Sequence, residues 1–162
     1  MTLTQSNLAK FFDYKEGQLF WKFSTGRVAA FSKAGSLGSH GYFQVKLMGK
    51  IYLVHRLIYT LINGQIPNNV DHIDGNKTNN KIENLRSCTQ SENRMNACRS
   101  TSNKIGIKGV CWSKSNKCWR VQVKKQSKKV YDAFFDDLEL AEFVAIEARN
   151  KHHGFFSKHD AP

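Results

Sequence analysis

The residues best suited to chemistry are concentrated between Asp71 and Asn96, in the run DHIDGNKTNNKIENLRSCTQSENRMN. An acid and a histidine, Asp71 and His72, stand side by side at its start. A histidine with an ordinary pKa of about 6.5 is mostly neutral at pH 7 and can take a proton from a water molecule. A divalent cation on oxygen ligands can stabilise the charge that develops on phosphorus and assist the departing 3′ oxygen. The run therefore predicts metal-dependent hydrolysis of a phosphodiester.

Asp71 and His72 should point to opposite faces of an extended strand. That divergence suits in-line displacement, with Asp71 holding the cation beside the leaving group and His72 facing the attacking water. The run Thr-Gln-Ser-Glu is a capping box and predicts a helix that begins just after Thr89. Asn93 and Asn96 lie three residues apart on that helix, and either could supply an amide oxygen. Carboxylate and amide oxygens are hard ligands, which favours Mg²⁺ or Mn²⁺ over Zn²⁺.

Asn84 precedes a short extended segment, residues 85–88. This position would let its side chain accept a hydrogen bond from the second ring nitrogen of His72 and fix the tautomer of the ring. The other polar residues of the run are interpreted as a loop between two site strands, although they could also approach a metal or a phosphate. These loop residues are Asp74, Asn76, Asn79 and Asn80.

At these residues the chain resembles the HNH endonucleases, specifically the branch found in phage and intron homing enzymes. The resemblance spans about residues 50–99 and depends on the Asp-His pair, an Asn thirteen positions later in IENLR, and an Asn twenty-two positions later in SEN. It implies a ββα-metal core around one ion, with Asp71 and Asn93 as metal ligands. It also implies His72 as the general base and Asn84 as the residue that orients it. Asn93 stands where the family name has its final histidine.

Two other classes of function remain open at this point. An Asp-His pair in an Asn-rich run is often only a turn with a satisfied histidine, so the core could be vestigial and the protein a DNA-binding regulator. An RNA-binding or RNA-cutting protein is the other alternative, and exposed stacking surfaces on Trp112 or Trp119 would favour it. We expect both indoles to lie mainly in the core.

The composition indicates a polyanionic partner. The chain has 162 residues, with 25 Lys and Arg against 13 Asp and Glu, which gives a formal charge of +12. Nucleic acid, with double-stranded DNA as the expected form, fits better than a membrane surface, because no amphipathic helix carries a basic face. No apolar run approaches the roughly 18 residues needed to span a bilayer. The N-terminal residues lack a signal-peptide pattern, so we expect a cytoplasmic protein, in the bacterial host if the gene is phage-encoded. We expect a monomer or weak dimer. The cysteines at 88, 98, 111 and 118 are predicted to be reduced, buried thiols.

Residues 1–54 are predicted to form a β-rich N-terminal region. A strand is expected over 18–23, a loop over 24–38, and a hairpin with strands over 43–47 and 51–54. The nuclease core, residues 55–99, should open with a helix over 55–63 that ends at Gly64. Within this helix His55 is interpreted as structural, with a contact to phosphate or to a ligand residue of the site as the alternative. Arg56 is a candidate DNA contact.

A linker at 100–104 separates this core from a second region, residues 105–157. Nine Lys or Arg and no acid lie between 104 and 131. Strands are predicted over 108–113, 118–124 and 129–135, followed by a helix that begins at the capping signature Asp136-x-x-Glu139 and ends at Gly154. In the middle strand Trp119, Val121 and Val123 should face the helix. The whole chain is therefore predicted as α+β, with a three-stranded antiparallel sheet packed on one helix at its C-terminal end.

Residues 106–156 resemble the AP2/ERF DNA-binding domain, through Gly-Val-x-Trp at 109–112 and Phe-x-x-x-x-x-Ala at 135–141. That family lays its sheet in the major groove, so the resemblance implies DNA contacts from the outer face of the sheet. A solvated strand face is the alternative for each residue. The candidate contacts are Arg120, Gln122, Lys124, Lys114 and Lys125.

Overall fold

The computed structural model describes residues 3–24, 26, 28–97 and 103–157. Its elements are small antiparallel sheets and several helices, as expected for an α+β protein. The chain divides into two compact units, residues 1–89 and 90–162. No helix within the described residues has the length and apolar character needed to cross a bilayer.

The first unit begins with α1 (Gln5–Phe11), β1 (Phe12–Lys15) and β2 (Gln18–Trp21). The predicted strand at 18–23 is confirmed up to Trp21. The stretch predicted as a loop over 24–38 contains two short strands, β3 (Lys33–Ala34) and β4 (Ser36–Leu37). They form because Ala34 is buried against β2, which pairs with β3, while β4 pairs with the next strand of the chain.

The predicted hairpin and helix follow. Strand β5 (Phe43–Leu47) pairs with β6 (Lys50–Leu53) through a turn at Met48 and Gly49, both with positive φ, as tight hairpin turns require. Helix α2 (Val54–Asn63) ends where Gly64 takes a φ of 73° and donates its N–H to the carbonyl of Thr60. Leu57 and Ile58 of α2 are buried in a core shared with Leu8, Phe12 and Leu19.

The strands that carry the candidate site are β7 (Asn69–His72) and β8 (Leu85–Cys88). They form a two-stranded antiparallel sheet in which Asp71 lies opposite Arg86 and His72 opposite Leu85. The connection between them contains a 3-10 turn, Ile82–Asn84. The prediction of two site strands joined by a polar loop is confirmed.

The second unit contains α3 (Gln90–Asn96), the helix that the capping box predicts. It continues with β9 (Val110–Ser113), β10 (Cys118–Lys125), β11 (Lys128–Phe135) and α4 (Leu138–His153). The sheet order is β11-β10-β9, with antiparallel pairing throughout. Most of the predicted linker at 100–104 lies outside the described residues, which resume at Asn103.

The second unit has its own core. Val110 and Val121 pack with Ala141 and Ala145, whose small side chains let α4 lie close to the sheet. The helix cap falls one residue later than predicted, because Asp137, and not Asp136, accepts a 2.7 Å hydrogen bond from the Leu140 N–H.

Two predictions about burial are wrong. Trp112 is 46% exposed, because it lies on the edge strand β9 and contacts Trp119 edge-on, with ring centroids 4.8 Å apart. Cys111, on the same edge strand, is exposed, whereas Cys88 and Cys118 are buried free thiols. Cys98 lies outside the described residues.

Candidate active site

Asp71 and His72 are both buried at the end of β7, with 6% and 4% of their surface exposed. The two side chains have different partners. Asp71 Oδ2 accepts hydrogen bonds from Arg86 Nε at 3.1 Å and Arg86 Nη2 at 2.9 Å, directly across the two-stranded sheet. Oδ1 of Asp71 is the carboxylate oxygen that this ion pair leaves for another ligand.

The ring of His72 is held by Asn80, which was predicted only as a loop residue, whereas the predicted partner Asn84 bonds other residues of the loop. Nε2 of His72 lies 2.8 Å from Oδ1 of Asn80, which is itself buried. An amide oxygen can only accept, so Nε2 carries the hydrogen in this contact and the lone pair of the neutral ring is on Nδ1. A histidine in this tautomer presents Nδ1 as its basic atom.

Asn84 uses both ends of its amide on the loop between the strands. Its Oδ1 accepts from the Asp74 N–H at 3.0 Å, and its Nδ2 donates to Asp74 Oδ1 at 2.9 Å and to the Asn79 carbonyl at 2.8 Å. Asn79 Nδ2 closes the network with a 2.7 Å bond to Asp74 Oδ2. Burial raises the pKa of Asp74, but the hydrogen bonds from Asn79 and Asn84 outweigh it and leave the pKa below its usual value.

Aromatic rings enclose the other side of His72. The His55 ring meets it edge-on with centroids 4.8 Å apart, and the Tyr42 ring lies 5.2 Å from His55 and 6.0 Å from His72. Lys77 places its ammonium 4.8 Å from the centre of the Tyr42 ring. Burial, and then the negative charge of Asp71, raise the pKa of Tyr42. Tyr42 and His55 are therefore parts of the site that the sequence interpretation left out or treated as structural.

His55 is a neutral ring within this cluster. Burial, and then the positive charges of the neighbouring His72 and Arg56, lower the pKa of His55 to about 3. Its Nδ1 is buried and has no hydrogen-bond partner among the described residues. Arg56, expected as a DNA contact, is half-buried and donates from Nη2 to the Pro67 carbonyl at 3.2 Å.

The described residues include no group of three or more His, Cys, Asp or Glu side chains arranged to hold a metal. Mg²⁺ and Mn²⁺ prefer oxygen ligands, and in the first unit the Asp71 carboxylate could supply one oxygen ligand. Asn93 is exposed on α3 in the second unit, whereas Asn96 on the same helix is buried. The exposed amide is the better suited of the two to meet a ligand.

The predicted DNA-contact residues of the second unit differ in their exposure and in whether their side chains form ion pairs. Arg120 is engaged by Asp132, with Nε–Oδ1 and Nη2–Oδ2 distances of 2.7 and 2.6 Å, and Lys129 contacts the same carboxylate at 3.2 Å. Gln122 is half-buried. Lys114, Lys124 and Lys125 are exposed.

Comparison with known proteins relates the segment that carries this buried imidazole to a nuclease family. A family model described as HNH endonuclease matches residues 52–95. Protein 3.8 of Escherichia phage T7 is 35% identical over 106 residues, which cover 64% of this chain and 87% of that protein. Residues 52–95 of the chain therefore correspond to an HNH endonuclease domain.

Two further relatives carry the family in their names. An uncharacterized HNH endonuclease of Acanthamoeba polyphaga mimivirus is 35% identical over 122 residues, covering 67% of this chain and 64% of that protein. An SPbeta prophage-derived protein of Bacillus subtilis (strain 168), whose name assigns it as an HNH homing endonuclease, is 33% identical over 113 residues, covering 67% and 62%. The chain thus spans slightly less than two thirds of these two relatives. No solved structure matches the chain.

Proposed function

We propose that the protein is a Mg²⁺-dependent endonuclease of the homing type, of phage origin, that hydrolyses phosphodiester bonds in double-stranded DNA. The observation that carries the proposal is the buried pair Asp71 and His72, with the His72 ring hydrogen-bonded to Asn80, inside the segment that matches the family model. The match of residues 52–95 to the HNH endonuclease model supports a nuclease. The metal, the double-stranded substrate and the homing role are proposed beyond that match.

His72 is the proposed general base. Its Nδ1 takes a proton from a water molecule as the water oxygen attacks phosphorus, the bond from phosphorus to the 3′ oxygen breaks, and that oxygen leaves with a proton from solvent. The Asn80 contact at Nε2 supports this role, because it holds the tautomer in which Nδ1 is basic.

Asp71 and Asn93 are the proposed metal ligands. A bound Mg²⁺ or Mn²⁺ would supply charge stabilisation at the phosphate and at the departing oxygen. Two donors support the set: Oδ1 of Asp71, to which no described residue is hydrogen-bonded, and the exposed amide of Asn93. The Arg86 ion pair fixes the orientation of the Asp71 carboxylate.

Asn84 is the proposed positioning residue of the loop. In the family pattern it orients the base. Its three hydrogen bonds to Asp74 and Asn79 hold the loop that also carries Asn80. Asn84 would therefore orient His72 indirectly, by fixing the position of Asn80.

The second unit is the proposed DNA-binding module, of AP2/ERF type. Support comes from its three antiparallel strands packed on one helix and from its exposed basic residues. Lys114, Lys124 and Lys125 would contact DNA, with Gln122 and Arg120 beside them on the middle strand. Arg120 would have to exchange its bonds with Asp132 for bonds to DNA. Arg56 of the first unit stays a further proposed contact.

The test is incubation of supercoiled plasmid and phage DNA with the full chain, with and without Mg²⁺. The wild type should cut only with the metal, and relaxed or linear product would distinguish a nick from a double-strand break. His72→Ala should lose roughly 10²–10⁴ in rate, the usual contribution of a general base, while it keeps its affinity for DNA. Absence of metal-dependent cleavage in the wild type, with DNA binding intact, would instead identify a DNA-binding regulator.

A further inference from the structure

A cavity of about 730 Å³ lies within the second unit, between α3, the start of β9, the middle strand β10 and the end of α4. Its titratable lining side chains are Arg94, Lys108, Lys124, Arg149 and His153, and we name it the cationic cavity after them. No carboxylate is among the described residues that line it. Its volume is within the range of roughly 300–1,000 Å³ typical of small-molecule sites.

Two cations of this cavity have no acidic partner among the described residues, unlike two cations of the sheet face beside it. On that face Asp132 forms ion pairs with both Arg120 and Lys129. In the cavity Arg94 and Lys124 are exposed and form no ion pair with any described residue. Like charges gathered in one concavity repel each other and raise the local concentration of anions. The cavity is thus a place in the second unit where cationic side chains gather with no acid among the described lining residues.

The wall of the cavity is tied in place by its own cationic residues. Lys108 Nζ donates to the carbonyls of Met95 and Ala97, at 2.7 and 2.5 Å, and so joins the end of α3 to the sheet. Arg149, 4% exposed, donates from Nη1 to the Lys108 carbonyl. Gly109 has a φ of 85°, and a Cβ there would stand 3.5 Å from Arg149 Nη1 and 3.3 Å from the Gln122 carbonyl. These contacts give the cavity a fixed shape.

His153 completes the wall at the end of α4. Its ring lies 3.0 Å from the Lys124 carbonyl through Nε2, so Nε2 donates and Nδ1 carries the lone pair. Burial lowers the pKa of His153, and the positive charges of Lys108 and Arg149 lower it further, although the bond to Lys124 opposes this. The ring therefore responds to the charge in the cavity and can report on its occupancy.

We propose that the cationic cavity binds the phosphate of a nucleotide, either one phosphodiester of a polynucleotide or a free nucleotide. Arg94 and Lys124 would meet the phosphate oxygens, since a guanidinium and an ammonium are the side chains that bind phosphate most strongly. The proposal concerns binding by the second unit and does not depend on cleavage at His72.

The test uses the full chain with inorganic pyrophosphate as the first probe. Binding should shift the ring resonances of His153 in an NMR titration at fixed salt. The double variant Arg94→Ala/Lys124→Ala should weaken pyrophosphate binding by about tenfold or more, because two charge-assisted hydrogen bonds are lost. Lys128→Ala is the matched control, since it removes an exposed lysine of the same unit that does not line the cavity, and it should bind as the wild type does.

Three further ligands then identify the source of the phosphate: duplex DNA, a single-stranded oligonucleotide and a mononucleotide. A polynucleotide that shifts His153 at lower concentration than the mononucleotide identifies a backbone phosphate, and the reverse order identifies a free nucleotide. The inference is overturned if none of the four probes moves the His153 resonances, or if the double variant, with a wild-type melting temperature, binds pyrophosphate undiminished. Plasmid cleavage is measured separately, so loss of either activity alone shows which proposal has failed.

Discussion

At the scale of single residues, the contact between Asn80 and His72 determines which ring nitrogen is basic. Asn80→Ala removes the acceptor for Nε2 and frees the ring to change tautomer and to rotate. We expect the cleavage rate to fall by about 10- to 100-fold, the usual cost of removing a group that orients a histidine by hydrogen bonding. DNA affinity should be unchanged, as measured by binding in the absence of metal.

Two companion variants separate orientation from folding. Asn80→Asp keeps an oxygen acceptor and should recover most of the rate that Asn80→Ala loses. Asn63→Ala removes an exposed asparagine that bonds only the Tyr59 carbonyl of its own helix, and it should cleave normally. Equal losses in Asn80→Ala and Asn80→Asp would show that Asn80 matters through the fold and not through the ring of His72.

The buried His55 makes stability depend on acidity. Its pKa is about 3 in the folded chain and near 6.5 when the chain is unfolded, so between these values the unfolded chain binds a proton that the folded chain does not. Stability is therefore lost as the pH falls from 6.5 toward 3. Lowering the pH from 7 to 5 should cost about 2 kcal/mol through this residue.

His55→Phe tests this dependence, because a phenyl ring preserves the packing against Tyr42 and His72 and binds no proton. The free energy of unfolding, measured by urea denaturation at pH 7 and pH 5, should change less with pH in this variant. His72 and Arg56 also face His55, and both are unchanged in the comparison. The exposed His40→Phe is the control and should retain the dependence of the wild type. An unaltered dependence in His55→Phe would contradict the assignment.

Residue spacing alone predicts Asp71 and His72 but not Asn80. The family pattern fixes distances along the chain between an acid, a histidine and two asparagines, and these can be read from the sequence. The loop holds several asparagines, and which amide reaches His72 depends on how the loop folds back on Asp74. That fold consists of side-chain bonds within the loop, for which the sequence has no periodic signal.

At the scale of elements, the hairpin β1–β2 supports the loop that carries Asn80. Gly17, at its turn, has a φ of 80°, and a Cβ there would lie 2.8 Å from the Lys81 backbone nitrogen and 3.0 Å from the Asn80 carbonyl carbon. Tyr14 on β1 accepts a 3.0 Å hydrogen bond from the Ile82 N–H through its hydroxyl. The N-terminal hairpin thus positions the backbone from which Asn80 reaches His72.

Gly17→Ala should therefore impair the site as well as the fold. The added methyl group would push the backbone of Asn80 and Lys81 away, and we expect both the melting temperature and the cleavage rate at a permissive temperature to fall. Gly49→Ala is a matched control: Gly49 has nearly the same φ, 78°, but no heavy atom within 4 Å of the added Cβ. Gly49→Ala should lower the melting temperature through the strain of a positive φ but leave the cleavage rate unchanged. Equal cleavage rates in Gly17→Ala and Gly49→Ala would show that the β1–β2 hairpin does not position Asn80.

The elements themselves follow well from the sequence. Alternation of apolar and polar residues predicts the strands of both units, and glycine and capping residues predict where α2 and α4 end and begin to within about a residue. The short strands β3 and β4 were missed because two-residue strands have no alternation to detect. They form through pairing with β2 and β5.

At the scale of the whole molecule, the charge of +12 is unevenly compensated. On the sheet face Asp132 forms ion pairs with Arg120 and Lys129. The hydrogen bonds that it accepts from Arg120 keep the pKa of its carboxyl below the usual range. Asp132→Asn should release Arg120 and Lys129 for phosphate contacts. Affinity for duplex DNA should then rise, and the slope of log affinity against log salt should steepen by about 0.9 per new contact.

Asp136→Asn is the control for this prediction, because it makes the same change in net charge at an exposed residue without an ion pair to a described residue. A local effect of Asp132 predicts a steeper slope for Asp132→Asn than for Asp136→Asn. The same slope in both would mean that only the total charge matters and that the sheet face makes no specific contact with DNA.

The division of the chain after Thr89 has a practical consequence for building chimeras. Helix α3, with the proposed ligand Asn93, belongs to the second unit, although the sequence pattern assigns it to the nuclease motif. Grafting a foreign recognition module directly after Thr89 would discard that ligand together with the native module. A domain exchange intended to retarget cutting should therefore retain α3 and take its junction downstream of Asn96.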